Sequence, residues 1–247
     1  MSGKQKIWYS HKNKAYTGHF PAYFIPAEFP WVAQLEAKFP EIETEVTRYL
    51  KTHADELKPY FNKDLVSKKN AWQLLTLKFW GVENKKTVAG FPVLSNAINA
   101  IPHTVTCSIS LMEPQTTIVP HIGDTDAVMR CHLGLDVPAG LPACGIKVND
   151  VDKAWERGKV LIFCDAYMHS AWNHTDQRRI VIIFDVVHDV FKDRYKNICN
   201  ETHALLWLQK KRQDSPFFNK LPGPVLGILM RLRKLRYALF GIRELNL

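Results

Sequence analysis

The sequence predicts a mainly β protein with flanking helices, built on an antiparallel sandwich or barrel of the jelly-roll kind. From Thr104 onward, seven short segments alternate apolar and polar residues with period two, and turn residues separate them. Many short strands with regular punctuation are typical of such sandwiches and barrels. Helical spacing precedes this region and returns after Asp189. We therefore predict three parts: an N-terminal segment of helices and a strand that packs on the core (1–103), the β core (104–190) and a basic helical tail (191–247).

Helices and one strand are predicted before the β core. Residues 28–58 alternate apolar and charged residues at helical spacing. Pro40 is placed to open a second helix, because proline is tolerated in the first helical turn. The segment AWQLLTLKFWG (71–81) has the large apolar residues of a strand, and FPVLSNAINAI (91–101) is typical of a short amphipathic helix.

Composition places the chain among ordinary globular proteins. Its 247 residues can bury a sizeable core, and its 46% hydrophobic and 23% charged residues exclude wholesale disorder. The five cysteines are scattered and never in CxxC spacing, which argues against a disulfide framework or a zinc knuckle and suits a reducing compartment. The stretch MSGKQKIWYSHKNK lacks the apolar centre of a signal peptide, and the sequence has no apolar run of about 18 residues. We therefore expect a cytoplasmic location.

Much of the net charge of +9 lies in the tail, where residues from Glu201 onward include nine basic and three acidic side chains. Six apolar residues of the tail fall on one stripe of a helix: Val225, Ile228, Leu229, Leu232, Leu235 and Leu239. Arg231 and Lys234 lie off the stripe, whereas Arg236 projects onto it. Three interpretations stay open. The helix packs on the core or in a homodimer, or it lies on anionic lipid at the inner face of a membrane, or it binds nucleic acid. The last is disfavoured because the tail lacks interleaved stacking aromatic residues.

Two predicted hairpins each bring a histidine close to an arginine. Residues equidistant from the turn in HIGDTDAVMR would place Arg130 across from His121. His132 then shares the face of Arg130, since alternate residues of a strand share a face. In the second hairpin, around HTDQ, Arg179 falls within about one row of His169. The 47 residues between the two histidines are enough for intervening strands to bring both to one barrel mouth.

Two interpretations of these residues remain open on spacing alone. Neutral imidazoles bind Fe(II), and the fixed fork of an arginine suits a carboxylate, so one cavity would hold a metal ion and a dicarboxylate together. Alternatively, the histidines are ordinary half-buried strand residues and the arginines form salt bridges at the rim.

The segments HIGDTDAVMRCHLGL, WERGKVLIFCDAYMHSAW and RRIVIIFDVVH resemble the aspartyl/asparaginyl β-hydroxylase family of Fe(II)- and 2-oxoglutarate-dependent oxygenases. The likeness runs from about Ser108 to His188. Its most specific feature is the order of residues: a histidine, an arginine nine residues on and a histidine eleven on, then a later histidine with an arginine ten residues beyond it. The resemblance implies a double-stranded β-helix core of the cupin type for residues 104–190.

For the metal, the resemblance implies that His121 and His169 are the catalytic iron ligands. A third, carboxylate ligand often stands two residues after the first histidine, where this chain has Gly123. The family's peptide hydroxylase also has glycine there, with water completing the metal shell, so the resemblance accounts for it. Asp124 and Asp126 are open as substitute or outer-sphere ligands, although aspartate is also common in turns.

For the cosubstrate, the resemblance implies that Arg130 and His132 hold the carboxylate of 2-oxoglutarate nearest the metal. Arg179, with Ser110, would hold the distal carboxylate. The implied reaction uses O2 and converts 2-oxoglutarate to succinate and CO2 while a C–H bond of the substrate is hydroxylated. Asp165 is shared with the family, and we leave open whether it orients a ligand or caps a strand.

The resemblance favours a peptidyl Asp or Asn, or a related amino acid, as substrate. Peptide-modifying members carry an arginine two residues before the counterpart of Arg130, whereas this chain has Val128, which we expect to face the mouth and to favour an apolar group. The first alternative is the acyl chain of a membrane lipid, although that branch of the family keeps an aspartate at the position of Gly123. The second is a jelly-roll binding module without catalysis.

Overall fold

The computed structural model describes residues 5–12 and 15–242. The remaining residues of the stretch MSGKQKIWYSHKNK, and Arg243 and Glu244 of the tail, were part of the sequence predictions and lie outside the described residues.

The region before the jelly roll contains four helices and three strands among its described residues. In chain order these are α1 (Pro30–Ala37), α2 (Phe39–His53), β1 (Lys58–Pro59), β2 (Trp72–Phe79), β3 (Val82–Glu83), α3 (Lys85–Ala89) and α4 (Pro92–Asn99). Short 3-10 turns cover Pro26–Glu28, Ala54–Glu56 and Lys63–Leu65. Pro40 lies in the first turn of α2, as the sequence predicts. The predicted strand and the predicted short helix are confirmed as β2 and α4.

Eight strands form the jelly roll. They are β4 (Thr104–Met112), β5 (Thr116–His121), β6 (Val128–Asp136), β7 (Cys144–Val148), β8 (Val151–Lys153), β9 (Val160–Phe163), β10 (His169–Asn173) and β11 (Arg179–Val187). The larger sheet has the order β1-β2-β4-β11-β6-β9, with β3 beside β2, and the smaller sheet has the order β5-β10-β7-β8. All pairs of neighbouring strands are antiparallel. The predicted fold class is therefore confirmed as a double-stranded β-helix with flanking helices.

The larger sheet buries both of its faces. Met129, Cys131 and Leu133 of β6 point into an apolar layer shared with α1, α2 and α4. The alternate residues Arg130 and His132 point into the space between the two sheets, where their partners lie. Because β2 pairs with β4, this sheet continues from the N-terminal segment into the jelly roll.

Both predicted hairpins are wrong. β5 pairs with β10, whereas β6 pairs with β11 and β9, so the two strands around the first turn belong to different sheets. The same holds for β10 and β11 around the second turn. In a jelly roll most consecutive strands cross from one sheet to the other, and a period-two pattern does not reveal which sheet a strand joins. The consequence is that His121 stands opposite His169, and not opposite Arg130.

The tail is helical in its described part, as predicted. A 3-10 segment (Asp189–Arg194) leads into α5 (Tyr195–Asp214), α6 (Pro216–Asn219) and α7 (Gly223–Phe240). α5 contributes Ile198 and Cys199 to an apolar cluster with Ile7 and Tyr9 of the N-terminal segment. α7 packs along α5, and Tyr237 is its buried residue. Within residues 5–12 and 15–242, no helix is both long and apolar enough to cross a membrane.

Candidate metal and cosubstrate site

Two histidines meet where β5 and β10 pair at one end of the smaller sheet. His121 and His169 are direct partners in the antiparallel register, and a bulge follows His169 in β10. Their ring centroids are 4.1 Å apart, which is close enough for both imidazoles to reach one ion. The pairing of strands that the sequence did not predict is what brings the two predicted ligands together.

Hydrogen bonds fix the same tautomer in both rings. Nδ1 of His121 lies 2.8 Å from the carbonyl oxygen of Val119, and Nδ1 of His169 lies 2.9 Å from that of Tyr167. A carbonyl only accepts, so each Nδ1 carries the proton and each Nε2 keeps its lone pair for a metal. Burial lowers the pKa of both histidines, that of His169 well below its ordinary value, so the imidazoles stay neutral near pH 7.

The carboxylate of Asp165 occupies the space that a side chain at position 123 would need. A Cβ added to Gly123 would overlap this carboxylate, and the Gly123 amide donates to the Asp165 carbonyl oxygen at 2.7 Å. Because Gly123 has no side chain, the carboxylate of Asp165, from the connection between β9 and β10, can lie next to it. Among the described residues Oδ1 of Asp165 has no partner, and burial raises the pKa of Asp165 to about 7 while Arg130 opposes the rise.

Arg130 is held by two carboxylates. Its Nε and Nη2 donate to Asp185 at 2.9 and 3.1 Å, and its Nη1 lies 2.8 Å from Oδ2 of Asp165. Asp185 also accepts from the hydroxyl of Thr106 at 2.7 Å. A guanidinium has five N–H groups, and the two aspartates occupy three of them. The predicted contact with the cosubstrate would use the remaining N–H groups. Arg130 is thus near the two predicted metal ligands, and its charge is already offset by carboxylates.

His132 presents a proton to the space between the sheets. Its Nδ1 accepts from Nε1 of Trp155 at 3.0 Å, so in the neutral ring the proton is on Nε2. That Nε2 is buried and has no partner among the described residues. Burial, followed by the charges of Arg179 and Arg130, lowers the pKa of His132 well below its ordinary value. The ring is therefore a neutral donor that suits a carboxylate oxygen.

Arg179 is a buried cation that forms no ion pair with a carboxylate of the described residues. Its side chain is 1% exposed, and its Nε and Nη1 have no partner among the described residues. The guanidinium lies over the ring of Trp155 at 4.5 Å, and burial lowers its pKa to about 10. An arginine with this pKa is still protonated at neutral pH. Burying its charge without a partner costs several kcal/mol of folding free energy, about as much as removing one member of a buried ion pair. The site is therefore built to receive an anion.

Ser110 lies on the inward face of β4, one strand from Arg179. Its residue is fully buried, and its hydroxyl oxygen accepts from Nε1 of Trp72 at 3.0 Å. The hydroxyl proton of Ser110 thus remains available to an acceptor in the same space. Trp72 in turn stacks on Tyr60, whose pKa is raised by burial.

Iron and 2-oxoglutarate fit this donor set. Two neutral imidazoles offer Nε2, and among the described residues no group of three His, Cys, Asp or Glu side chains is arranged for a metal. A metal held by two histidines keeps open positions for a chelating cosubstrate and O2. The unpartnered donors of His132 and Arg179 match the two carboxylates of a dicarboxylate.

Asp124 and Asp126 lie in the loop after His121 and bond within the protein. Oδ1 of Asp126 accepts from the amide of Trp8 at 2.8 Å, and the hydroxyl of Thr125 donates to the Trp8 carbonyl oxygen at 2.8 Å. Oδ1 of Asp124 accepts from Nε2 of Gln209 at 3.2 Å. These contacts pin the loop between the N-terminal segment and α5.

Val128 does not face the mouth of the site. It is buried in the apolar cluster with Ile7, Tyr9 and Val187, so the expected apolar contact of Val128 with a substrate is wrong. The reason is that the N-terminal segment covers this end of β6, a long-range contact that strand alternation cannot predict.

Two residues at the site were missed from the sequence. Asp185 is in phase with Arg179 on β11, so a lone acid on the inward face of an apolar strand was a usable signal. Trp155, which contacts both His132 and Arg179, precedes β9 outside any periodic pattern, and no sequence signal pointed to it.

Fold and site together define a double-stranded β-helix in which two histidines are neighbours across one strand pair, and in which a buried arginine lacks a carboxylate partner within the part of the chain that the structure describes. The chain belongs to the aspartyl/asparaginyl beta-hydroxylase family, whose sequence model matches residues 36–189.

Named relatives differ in what they act on. The ornithine lipid ester-linked acyl 2-hydroxylase of Rhizobium tropici is 34% identical over 171 residues, which cover 68% of this chain and 60% of that protein. The human aspartyl/asparaginyl beta-hydroxylase is 29% identical over 203 residues, which cover 73% of this chain and 26% of that protein. The chain thus spans less than two thirds of either relative. A prolyl hydroxylase from Trichoplax adhaerens, solved with a peptide fragment, covers 67% of this chain and 81% of its own at 10% identity, with a TM-score of 0.43.

Proposed function

We propose that this protein is an Fe(II)- and 2-oxoglutarate-dependent dioxygenase that hydroxylates a C–H bond. The observation that carries the proposal is the buried guanidinium of Arg179, whose Nε and Nη1 have no partner among the described residues. It shares the inter-sheet space with two imidazoles whose hydrogen-bonded Nδ1 atoms leave the Nε2 lone pairs for a metal. An anionic ligand bound there would neutralise the buried charge of Arg179. His121 and His169 would hold the iron.

Each side chain has a role in binding or orientation. When bound, the iron would supply O2 activation coupled to the conversion of 2-oxoglutarate to succinate and CO2. Arg179 and Ser110 would hold the distal carboxylate of the cosubstrate, and His132 would donate Nε2–H to the carboxylate near the metal. Arg130 would add a second cation there while its bonds to Asp185 fix its orientation. No side chain needs to transfer a proton in this scheme.

The test is succinate release from 2-oxoglutarate in the presence of Fe(II) and O2. We expect His169→Ala to abolish succinate release, because His121 alone would remain to hold the iron. His174→Ala is the matched control, since His174 is exposed just beyond the other end of β10. Thermal unfolding curves show whether both variants fold. Equal release by the native protein and His169→Ala would remove the assignment.

Two substrate classes follow from the named relatives. A peptidyl Asp or Asn, or a related amino acid, is the class that the sequence resemblance favoured. The second candidate substrate is the acyl chain of a membrane lipid. At position 128 the chain has a valine, which cannot pair with an acidic side chain, and the apolar residues Ile122 and Met168 are exposed beside the two histidines. Both observations support this candidate. The five free, buried cysteines support the expected reducing, cytoplasmic setting.

Stimulation of 2-oxoglutarate turnover separates the substrate classes. Aspartate- and asparagine-containing peptides form one arm, and vesicles of an acyl lipid form the other. Faster succinate release with one arm, together with a mass gain of one oxygen in that substrate, would assign the class.

A further inference from the structure

The outward face of α7 carries a continuous row of exposed apolar side chains. We call this row the apolar face, and its members are 38–66% exposed: Val225, Ile228, Leu232, Leu235, Leu239 and Phe240. Phe217 of α6, before α7 in the chain, is 64% exposed. Large exposed apolar patches on proteins mark interaction surfaces.

Contacts with α5 fix this helix with its apolar face outward. Tyr237 is buried, and its hydroxyl accepts from Nε of Arg233 at 2.9 Å. The guanidinium of Arg233 lies over the ring of Trp207 at 5.1 Å. Lys234 donates to the buried carboxylate of Glu201, which also pairs with Lys12. Turning the apolar face inward would break these contacts, so its exposure follows from the packing of α7.

The surroundings of the apolar face are basic. Residues 215–240 include five basic residues and no acidic residue. Arg231 is exposed at one edge of the apolar face, Arg236 is exposed and projects onto it, and Lys220 is exposed before α7. Leucines bordered by arginines are the pattern of a helix that lies in the interface of an anionic bilayer.

We propose that the apolar face docks on a membrane surface rich in anionic lipid, with α7 lying parallel to that surface. Anionic headgroups would neutralise Arg231 and Arg236, whereas a second copy of this chain would bring the same arginines toward each other. Spanning the bilayer is not part of the proposal, because α7 is not apolar enough to cross it. This docking goes beyond the proposed hydroxylation and is tested without it.

Vesicle sedimentation of the full chain tests the docking. We expect the protein to sediment with vesicles of phosphatidylcholine and phosphatidylglycerol, and at least about tenfold less with phosphatidylcholine alone. Raising the salt concentration should weaken the binding, since exposed charges are screened.

Matched variants test the two components of the surface. Leu232→Gln with Leu235→Gln should lower binding to the anionic vesicles by about tenfold or more, because two leucines that would insert into the lipid interface are lost. Ile25→Gln with Val190→Gln removes two equally exposed apolar residues elsewhere and should leave binding unchanged.

For the charges, Arg231→Gln with Arg236→Gln should lower binding, whereas Lys51→Gln with Lys69→Gln, at other exposed positions, should not. Thermal unfolding of each variant shows that its fold is retained.

Three results would overturn the proposal. The first is native protein that stays in the supernatant with anionic vesicles, and the second is leucine variants that sediment as well as the native chain. The third is a dimer in sedimentation velocity without vesicles that the leucine variants abolish, which would assign the apolar face to a second copy. None of these results depends on succinate release, so failure of the docking and failure of the proposed activity are distinguishable.

Discussion

Arg130 and Arg179 face the same inter-sheet space but have opposite electrostatic surroundings. Arg130 is clasped by Asp185 and Asp165, whereas Arg179 has only the ring of Trp155 beneath it and no carboxylate partner among the described residues. A buried arginine that is paired with two carboxylates contributes to the stability of the fold, whereas a buried arginine without a carboxylate partner is suited to bind an anionic ligand. The two arginines, which the resemblance assigns to opposite carboxylates of one cosubstrate, thus differ in whether the protein itself supplies the anion.

The largest expected effect is on folding. Arg130→Gln would leave Asp185 and Asp165 buried without a cation, so we expect the free energy of unfolding to fall by about 3 kcal/mol. Urea unfolding measures it. Arg130→Gln combined with Asp185→Asn should recover part of the loss. A loss below about 1 kcal/mol for the single variant would show that the pair contributes as little as a surface salt bridge.

His188 is buried as Arg179 is, but a buried histidine can lose its proton near neutral pH, whereas a buried arginine stays charged. Burial lowers the pKa of His188 from 6.5 to about 4. Between those values the unfolded chain binds a proton that the folded chain does not, so this residue makes stability fall as pH drops from 6.5 toward 4, by about 3 kcal/mol in all. Its contribution is complete above pH 6.5.

Urea unfolding as a function of pH checks this expectation. His188→Phe keeps a ring stacked on Phe20 and should reduce the slope between pH 6.5 and 4. His174→Gln, at an exposed position, serves as the control. An unchanged slope in His188→Phe would contradict the expectation.

For Arg179 the expected effect is on ligand binding and not on folding. Arg179→Met removes the unpaired charge and keeps an apolar stem over Trp155. We expect the affinity for 2-oxoglutarate to fall at least hundredfold, about 2.7 kcal/mol, with no loss of thermal stability. Calorimetric titration measures the affinity. Arg178→Met, at an exposed neighbour paired with Glu113, is the control and should bind 2-oxoglutarate normally. A large drop in stability would mean that Arg179 has a structural role like that of Arg130.

The smallest effect is expected at Trp155, which donates a hydrogen bond to His132 and stacks beneath Arg179. Trp155→Phe keeps a ring beneath the guanidinium but removes the donor to Nδ1 of His132. Losing one neutral hydrogen bond costs about 1 kcal/mol, so we expect the KM for 2-oxoglutarate to rise about fivefold. A change as large as that of Arg179→Met would show that the ring and not the hydrogen bond is affected.

The sequence predicted which residues form the candidate site better than it predicted how they are arranged. The resemblance named His121, His169, Arg130, His132, Arg179 and Ser110, and the structure places all six between the two sheets or at their mouth. Their assigned roles toward iron and 2-oxoglutarate remain proposals. Alternation predicted that Arg130 and His132 share a face, but symmetry about a turn wrongly paired each histidine with an arginine.

The amino-acid sequence by itself determined the jelly roll, the helices around it and the family, because period-two patterns, helical spacing and a distinctive order of histidines and arginines are local properties. Tertiary structure alone decided which strands pair, that Asp165 fills the space beside Gly123 and that Val128 is covered. It also decided that no described carboxylate pairs with Arg179. Each of these depends on contacts between residues far apart in the chain. The pattern of side chains along a strand records which face is buried, and it does not record what that face will meet.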